Sequence, residues 1–257
     1  MPWTRTYDEA EPQRVNRWLA QSGVCSRREA EALIAQGLVS IDGDTVADAG
    51  RKIEPGQTLT LADAAKAKLE GALTVILHKP RGVVSAQPEP GQIPAVRLLT
   101  REALIGDSPI IPGKDSKLAP VGRLDLESRG LLILSEDGVV AKAVIGPAAE
   151  LEKEYRVSVI GEITERVLAR LRHGLELDGR RLRPAEVTVI SDQRLRIVLR
   201  EGRNRQIRRM CELVDLKVVD LFRVRVGAVW LGTLPEGRWR LVTSDERRAL
   251  VERRAPI

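Results

Sequence analysis

Gly122-Arg123-Leu124-Asp125-Leu126-Glu127-Ser128-Arg129-Gly130-Leu131-Leu132-Ile133-Leu134-Ser135-Glu136-Asp137-Gly138 is the stretch whose reading decides the fold. Its apolar run, residues 131–134, is short, with Gly130 before it and Glu136, Asp137 and Gly138 after it. That pattern predicts a strand covered on both faces and ending in a turn. Asp125 then falls in the loop entering the strand, where a rigid sheet presents reactive groups. An arginine beside a carboxylate favours its charged form even where water is scarce. An isolated Arg-x-Asp is more often an ordinary loop salt bridge, so Asp125 becomes a candidate catalyst only if the wider pattern supports it.

Working outward, apolar runs at residues 73–77, 155–160, 187–190, 195–199 and 218–226 predict further strands, and helical spacing marks residues 139–145, 163–171 and 204–214 between them. The sum is an α+β domain over residues 72–257, built on a mixed, largely antiparallel sheet with flanking helices. Upstream, Val15, Trp18 and Leu19, then Ala30, Leu33 and Ile34, recur at helical spacing, with Ser26 and Glu29 placed for a capping box. Gly37 stops the second helix, residues 38–41 read as a strand entering a tight Asp42-Gly43 turn, and residues 58–61 as a later strand. Residues 13–62 thus form a small domain, and the polar, alanine-rich residues 63–71 read as a linker with some helical character. Residues 88–120 are rich in Pro and Gly, and their central part, 106–117, reads as a flexible loop leading towards Arg123.

Composition narrows the function classes. At 257 residues and 43% hydrophobic content the chain has material for two domains, and no apolar run approaches the roughly 18 residues that span a bilayer. The polar first residues lack the apolar core of a secretory signal, which predicts a cytoplasmic protein. Cys25 and Cys211 are too far apart in sequence for metal-ligand spacing and read as reduced thiols. With His78 and His173 as the only histidines, a zinc site or a serine-histidine triad has too little material, and glycine-rich phosphate loops are missing. The net charge of +6 favours a polyanionic partner. Its distribution is sharper than its total: Arg194, Arg196, Arg200, Arg203, Arg205, Arg208, Arg209, Lys217, Arg223 and Arg225 share one stretch with only Glu201, Glu212, Asp215 and Asp220. Such a cluster either neutralises phosphates or forms a solvated, arginine-rich surface.

The segment 122–138 resembles the catalytic motif of the RNA pseudouridine synthases, in the branch that modifies ribosomal RNA and carries an S4 domain. Three further runs resemble that family in order: His78-Lys79-Pro80-Arg81-Gly82-Val83-Val84-Ser85, Lys153-Glu154-Tyr155-Arg156-Val157, and Glu201-Gly202-Arg203-Asn204-Arg205-Gln206-Ile207-Arg208-Arg209-Met210-Cys211-Glu212. Residues 13–62, with Ser22-Gly23-Val24-Cys25-Ser26-Arg27-Arg28-Glu29-Ala30 and Val39-Ser40-Ile41-Asp42-Gly43, resemble an S4 RNA-binding module in which Arg14, Arg17, Arg27 and Arg28 would face phosphate. That module also holds many acids, and a purely structural helix pair is its other reading.

The resemblance implies a cofactor-free, metal-free uridine isomerase. Its carboxylate, assigned to Asp125, works at the anomeric carbon as nucleophile or as the base that removes a ribose proton. It further implies that Arg208 pairs with Asp125, that Tyr155 stacks on the uracil and assists proton transfer, and that Arg123 fills the gap left by the flipped nucleotide. Without the resemblance, Tyr155 reads equally well as an inward strand aromatic. Arg203 and Arg205 are weaker candidates for backbone contacts, and Lys79 is either structural support or an RNA contact. The implied substrate is large-subunit ribosomal RNA, with tRNA as an additional candidate, acted on by a monomer. A noncatalytic ribosome-assembly protein and a small-subunit enzyme are the alternatives.

Overall fold

The run predicted as a covered strand lies inside the strand Arg129–Ser135, and Leu131, Leu132, Ile133 and Leu134 are completely buried. In the computed structural model, which describes residues 2–112, 116–146 and 149–252, this strand sits inside a mixed sheet. Its neighbours are Lys217–Val226 on one side and Thr74–Lys79 on the other. Beyond Lys217–Val226 the order continues through Lys153–Ile160 and Arg194–Leu199 to Glu186–Ser191, and beyond Thr74–Lys79 it ends at Trp239–Leu241. The long strand Lys153–Ile160 pairs antiparallel with both Arg194–Leu199 and Lys217–Val226. Arg129–Ser135 joins Lys217–Val226 in parallel, through Arg129 opposite Phe222 and Gly130 opposite Arg223.

That parallel junction explains Gly130. Its φ is +112°, and a Cβ there would lie 2.2 Å from the Arg223 carbonyl oxygen and 2.8 Å from the Arg223 nitrogen, so only glycine lets the two backbones approach. Beside it, Arg129 grips Asp220 with two hydrogen bonds of 3.1 and 2.8 Å and lies 4.1 Å from the Phe222 ring centroid. Val75, Ile76, Leu77, Val157, Leu195, Ile197 and Trp239 complete a dry core, each side chain contributing about 1.5–3 kcal/mol through burial. The terminal strand Trp239–Leu241 and the helix Ser244–Glu252 have no counterpart in the periodicity reading. The expected helices appear as Gly138–Ile145, Glu165–Arg172 and Gln206–Glu212, the second capped by Thr164, whose hydroxyl accepts from Val167 N–H at 3.2 Å.

The chain divides into two compact units, one comprising Met1–Leu73 with Ser135–Lys142 and the other Thr74–Leu134 with Ala143–Ile257. In the first, the helices Val15–Gln21 and Arg27–Ala35 form as the apolar spacing predicts, and the Ser26–Glu29 capping box closes in both directions, at 3.2 and 2.6 Å. They share a core with Ile41, Leu59 and Leu61 of a sheet ordered Trp3–Thr6, Thr58–Leu61, Val39–Ile41, Asp44–Thr45. The unit starts earlier than residue 13: Trp3–Thr6 pairs along Thr58–Leu61, and Tyr7 packs edge-on against Trp18 at 5.4 Å. The residues read as a linker with some helical character form the helix Asp63–Glu70, with Ala65 fully buried in the same core. Among the described residues no helix is long and apolar enough to cross a membrane.

Gly130→Ala is expected to lower unfolding free energy by at least about 2 kcal/mol, because the added methyl meets backbone that cannot swing away. Urea denaturation monitored by tryptophan fluorescence measures it, and a loss under about 0.5 kcal/mol contradicts the close parallel junction.

Candidate active site

The loop holding Asp125 is pinned by its backbone on two sides. Buried Ser85 donates its hydroxyl to the Leu124 carbonyl at 2.7 Å and accepts from the Leu124 N–H at 2.9 Å. Gly82 N–H reaches the Leu126 carbonyl at 2.9 Å, so residues 82–85 clamp both neighbours of Asp125. Ser128 N–H then closes a turn on the Asp125 carbonyl at 3.0 Å. From the sheet side, Arg223, only 3% exposed, donates Nε to the Leu131 carbonyl at 2.8 Å and Nη1 to the Arg123 carbonyl at 3.3 Å. The Asp125 side chain is left 29% exposed, facing a cleft of about 740 Å³.

Arg123, Lys153, Tyr155, Arg205 and Arg223 line this cleft with Asp125. Lys153 and Tyr155 are two residues apart on one strand and so project to the same face. Tyr155 is opposite Arg223 in the ladder, and its ring is largely buried. Two lysine ammoniums belong to this neighbourhood. Burial pulls Lys153 down to about 8, with nearby Arg223 adding to the effect, while its Nζ donates to the Leu151 carbonyl at 3.1 Å. Burial likewise pulls Lys79 down to about 8, opposed by the charge of Asp125.

The arginines fall differently from the sequence reading. Asp125 pairs with Arg205, whose Nη1 lies 3.7 Å from Oδ2, and not with Arg208. Arg208 is buried and directed to Glu127 instead, at 3.7 Å from its carboxylate and 3.4 Å from its carbonyl. Arg205, in a left-handed conformation (φ +47°) as cap of Gln206–Glu212, reaches both Asp125 and, at 3.5 Å, Glu127, and Arg208, one turn on, reaches Glu127. Arg203 is no free phosphate ligand either, since its guanidinium donates to the Leu177, Arg180 and Arg181 carbonyls at 2.9, 3.1 and 2.6 Å. Lys79 is fully buried and donates to the Pro80 and Val83 carbonyls at 2.8 and 2.7 Å, which makes it a support of the 79–83 turn. Much of the basic stretch is neutralised internally: Arg225 and Arg196 converge on Glu154, and Arg225 and Arg200 on Glu152, at 3.0–3.2 Å.

Arg123 is exposed, and among the described residues its guanidinium makes no hydrogen bond or ion pair. The same holds for Arg14, just before the first helix of the first unit, and for Arg17, Arg27 and Arg28 on its two helices. Sequence reasoning gave no role to Ser85 or Lys153, and it put Arg223 in a cluster facing phosphate or solvent, whereas Arg223 is buried. For Arg223 a signal existed: an arginine alternating with apolar residues on a covered strand must find buried partners. Nothing in the sequence singles out Ser85 from other serines.

The chain belongs to the RNA pseudouridylate synthase family, which it matches over residues 73–213, and residues 13–59 match the S4 domain, an RNA-binding module. It is an RNA pseudouridine synthase, an isomerase. It is 33% identical to an RNA pseudouridine synthase of Aquifex aeolicus over 91% of each chain. Identity is also 33% to the dual-specificity RNA pseudouridine synthase RluF of Escherichia coli, over 91% of this chain and 76% of that one. The ribosomal large subunit pseudouridine synthase B of Bacillus subtilis is 32% identical over 93% of this chain and 95% of its own. A crystal structure of a pseudouridylate synthase superposes with a TM-score of 0.63 at 26% identity, covering 93% of this chain and 99% of the other.

The folded chain releases the Lys153 proton near pH 8, whereas the unfolded chain keeps it to about 10.5. The unfolded state therefore binds more protons between those values, and this group's contribution to stability rises with pH across that window. Unfolding free energies of wild type and Lys153→Met, measured from about pH 7.5 to about pH 9.5, are expected to move in favour of wild type. A pH-independent difference between the two contradicts a buried ammonium at this position.

Proposed function

We propose that this synthase isomerises uridine in large-subunit ribosomal RNA, with Asp125 as the reacting carboxylate. The observation that carries the chemistry is the Asp125 carboxylate facing a cleft that also holds Tyr155. Isomerisation breaks the bond between uracil N1 and ribose C1′, forms a bond from C5 to C1′, and transfers one proton from C5 to N1, so atoms balance without an oxidant or a second substrate. Asp125 acts on the sugar, either by bonding to C1′ or by removing the C2′ proton, and is regenerated at the end. Tyr155 supplies the face on which the uracil turns and a hydroxyl near the C5 proton. Extruding the nucleotide costs a few kcal/mol, which the exposed guanidinium of Arg123 offsets by stacking in the vacated position. Arg205 holds the carboxylate at 3.7 Å, the role first assigned to Arg208.

Support for the substrate comes from the Bacillus subtilis relative, a large-subunit enzyme matched over 95% of its length. The dual specificity of the Escherichia coli relative supports a second RNA substrate, for which tRNA is the additional candidate. In the first unit, the exposed Arg14, Arg17, Arg27 and Arg28 would contact phosphates of a flanking RNA segment.

Pseudouridine mapping in RNA from cells lacking this protein is expected to show loss of one site or a small set in the large subunit. Wild type restores them, and Asp125→Asn does not, with a single-turnover rate at least about 100-fold lower in vitro. Full restoration by Asp125→Asn rejects the assigned chemistry. Loss confined to small-subunit RNA or tRNA reassigns the substrate.

A further inference from the structure

Residues within 85–101, together with 111–112, 116 and 118–120, line a second cavity that the reaction leaves unused. It measures about 710 Å³ and shares Ser85, Ala86, Gln87 and Pro120 with the lining of the catalytic cleft, so the two adjoin. Its wall is largely apolar, with Val96, Leu99, Ile111 and Leu118 among the residues facing it. Arg97 and Arg101 are the charged groups of its described lining, which contains neither Asp nor Glu. Both arginines are exposed, and among the described residues neither guanidinium has a hydrogen bond or ion pair. At the junction with the catalytic cleft stands Gln87, exposed and held at φ +50° in the left-handed region that non-glycine residues rarely adopt. Such conformations gather where a ligand is gripped.

An RNA strand that delivers one nucleotide to Asp125 must leave the cleft along its rim, carrying the adjoining nucleotide with it. We propose that this cavity is a second RNA subsite, holding the nucleotide next to the extruded uridine with its base against the apolar wall and its phosphate between Arg97 and Arg101. The proposal rests on Asp125 marking where the target uridine enters. Gln87, with one amide acceptor and two amide donors at the junction, faces the edge of that neighbouring base and makes its identity matter. An uncharged ligand fits the apolar wall but leaves two guanidiniums unanswered, whereas a nucleotide satisfies both parts of the cavity.

The test is the salt dependence of binding to a fluorescent single-stranded oligouridylate, measured by anisotropy for the full chain, for Arg97→Ala/Arg101→Ala, and for Arg166→Ala, an exposed arginine outside both cavities. Loss of the one phosphate held between the two arginines is expected to make the plot of log Kd against log salt shallower by about 0.7 in the double variant, with the Arg166→Ala slope unchanged. Equal slopes for wild type and double variant overturn the subsite, as does an equal loss from Arg166→Ala. Single-turnover conversion of ribosomal RNA is followed alongside. If wild type converts no uridine while the slope still falls, the functional reading fails and the subsite stands.

Discussion

The structure depends on one buried cation. Arg223 reaches from the middle of the strand Lys217–Val226 and ties the Leu131 carbonyl of the next strand to the Arg123 carbonyl of the acid loop. A guanidinium removed from water is costly unless its donors are taken up, and here carbonyl oxygens on either side of Gly130 take them. The same residue's backbone is what Gly130 packs against, so strand register and loop position are set at a single point. Replacing either partner disturbs the other.

From that point the site assembles by short links. The double hydrogen bond between Ser85 and Leu124 fixes the loop from the opposite side, and the turn closed by Ser128 leaves the Asp125 side chain facing the cleft. Around it the chain concentrates positive charge at graded depth. Lys79 and Arg223 are buried and committed to carbonyls, Arg205 is half-exposed and paired with the acid, and Arg123 is exposed. The inner cations hold shape, and Arg123 is left open to solvent. Such a gradient suits an enzyme that must bind a polyanion without letting its phosphates displace the carboxylate proposed to react.

The parts legible in the sequence are those written in local periodicity or in short contiguous runs. Leu131 to Leu134, the Ser26–Glu29 box and the amphipathic helices of the first unit fall there, as does Asp125 beside Arg123. What sequence could not supply depends on which distant backbone a side chain meets. Arg203, Arg205 and Arg208 look equivalent in one basic run, yet Arg203 clamps three carbonyls, Arg205 bridges Asp125 and Glu127, and Arg208 reaches only Glu127 of those two acids. Arg205 takes up its place as a left-handed residue at the helix start, and an arginine in that conformation has no compositional signature. The strand Trp3–Thr6 escaped notice because a short, exposed edge segment shows little alternation, its stability coming from the partner strand.

The central claim is that the loop clamped by Ser85 and Arg223 presents Asp125 to the sugar of an extruded uridine. A crystal structure of the Asp125→Asn protein with a uridine-containing RNA substrate tests it most directly. The account predicts the flipped base lying against Tyr155, C1′ within van der Waals reach of the residue 125 side chain, and Arg123 occupying the vacated position in the RNA. A target base still stacked in the RNA, or one housed away from residue 125 with Tyr155 uncovered, contradicts it.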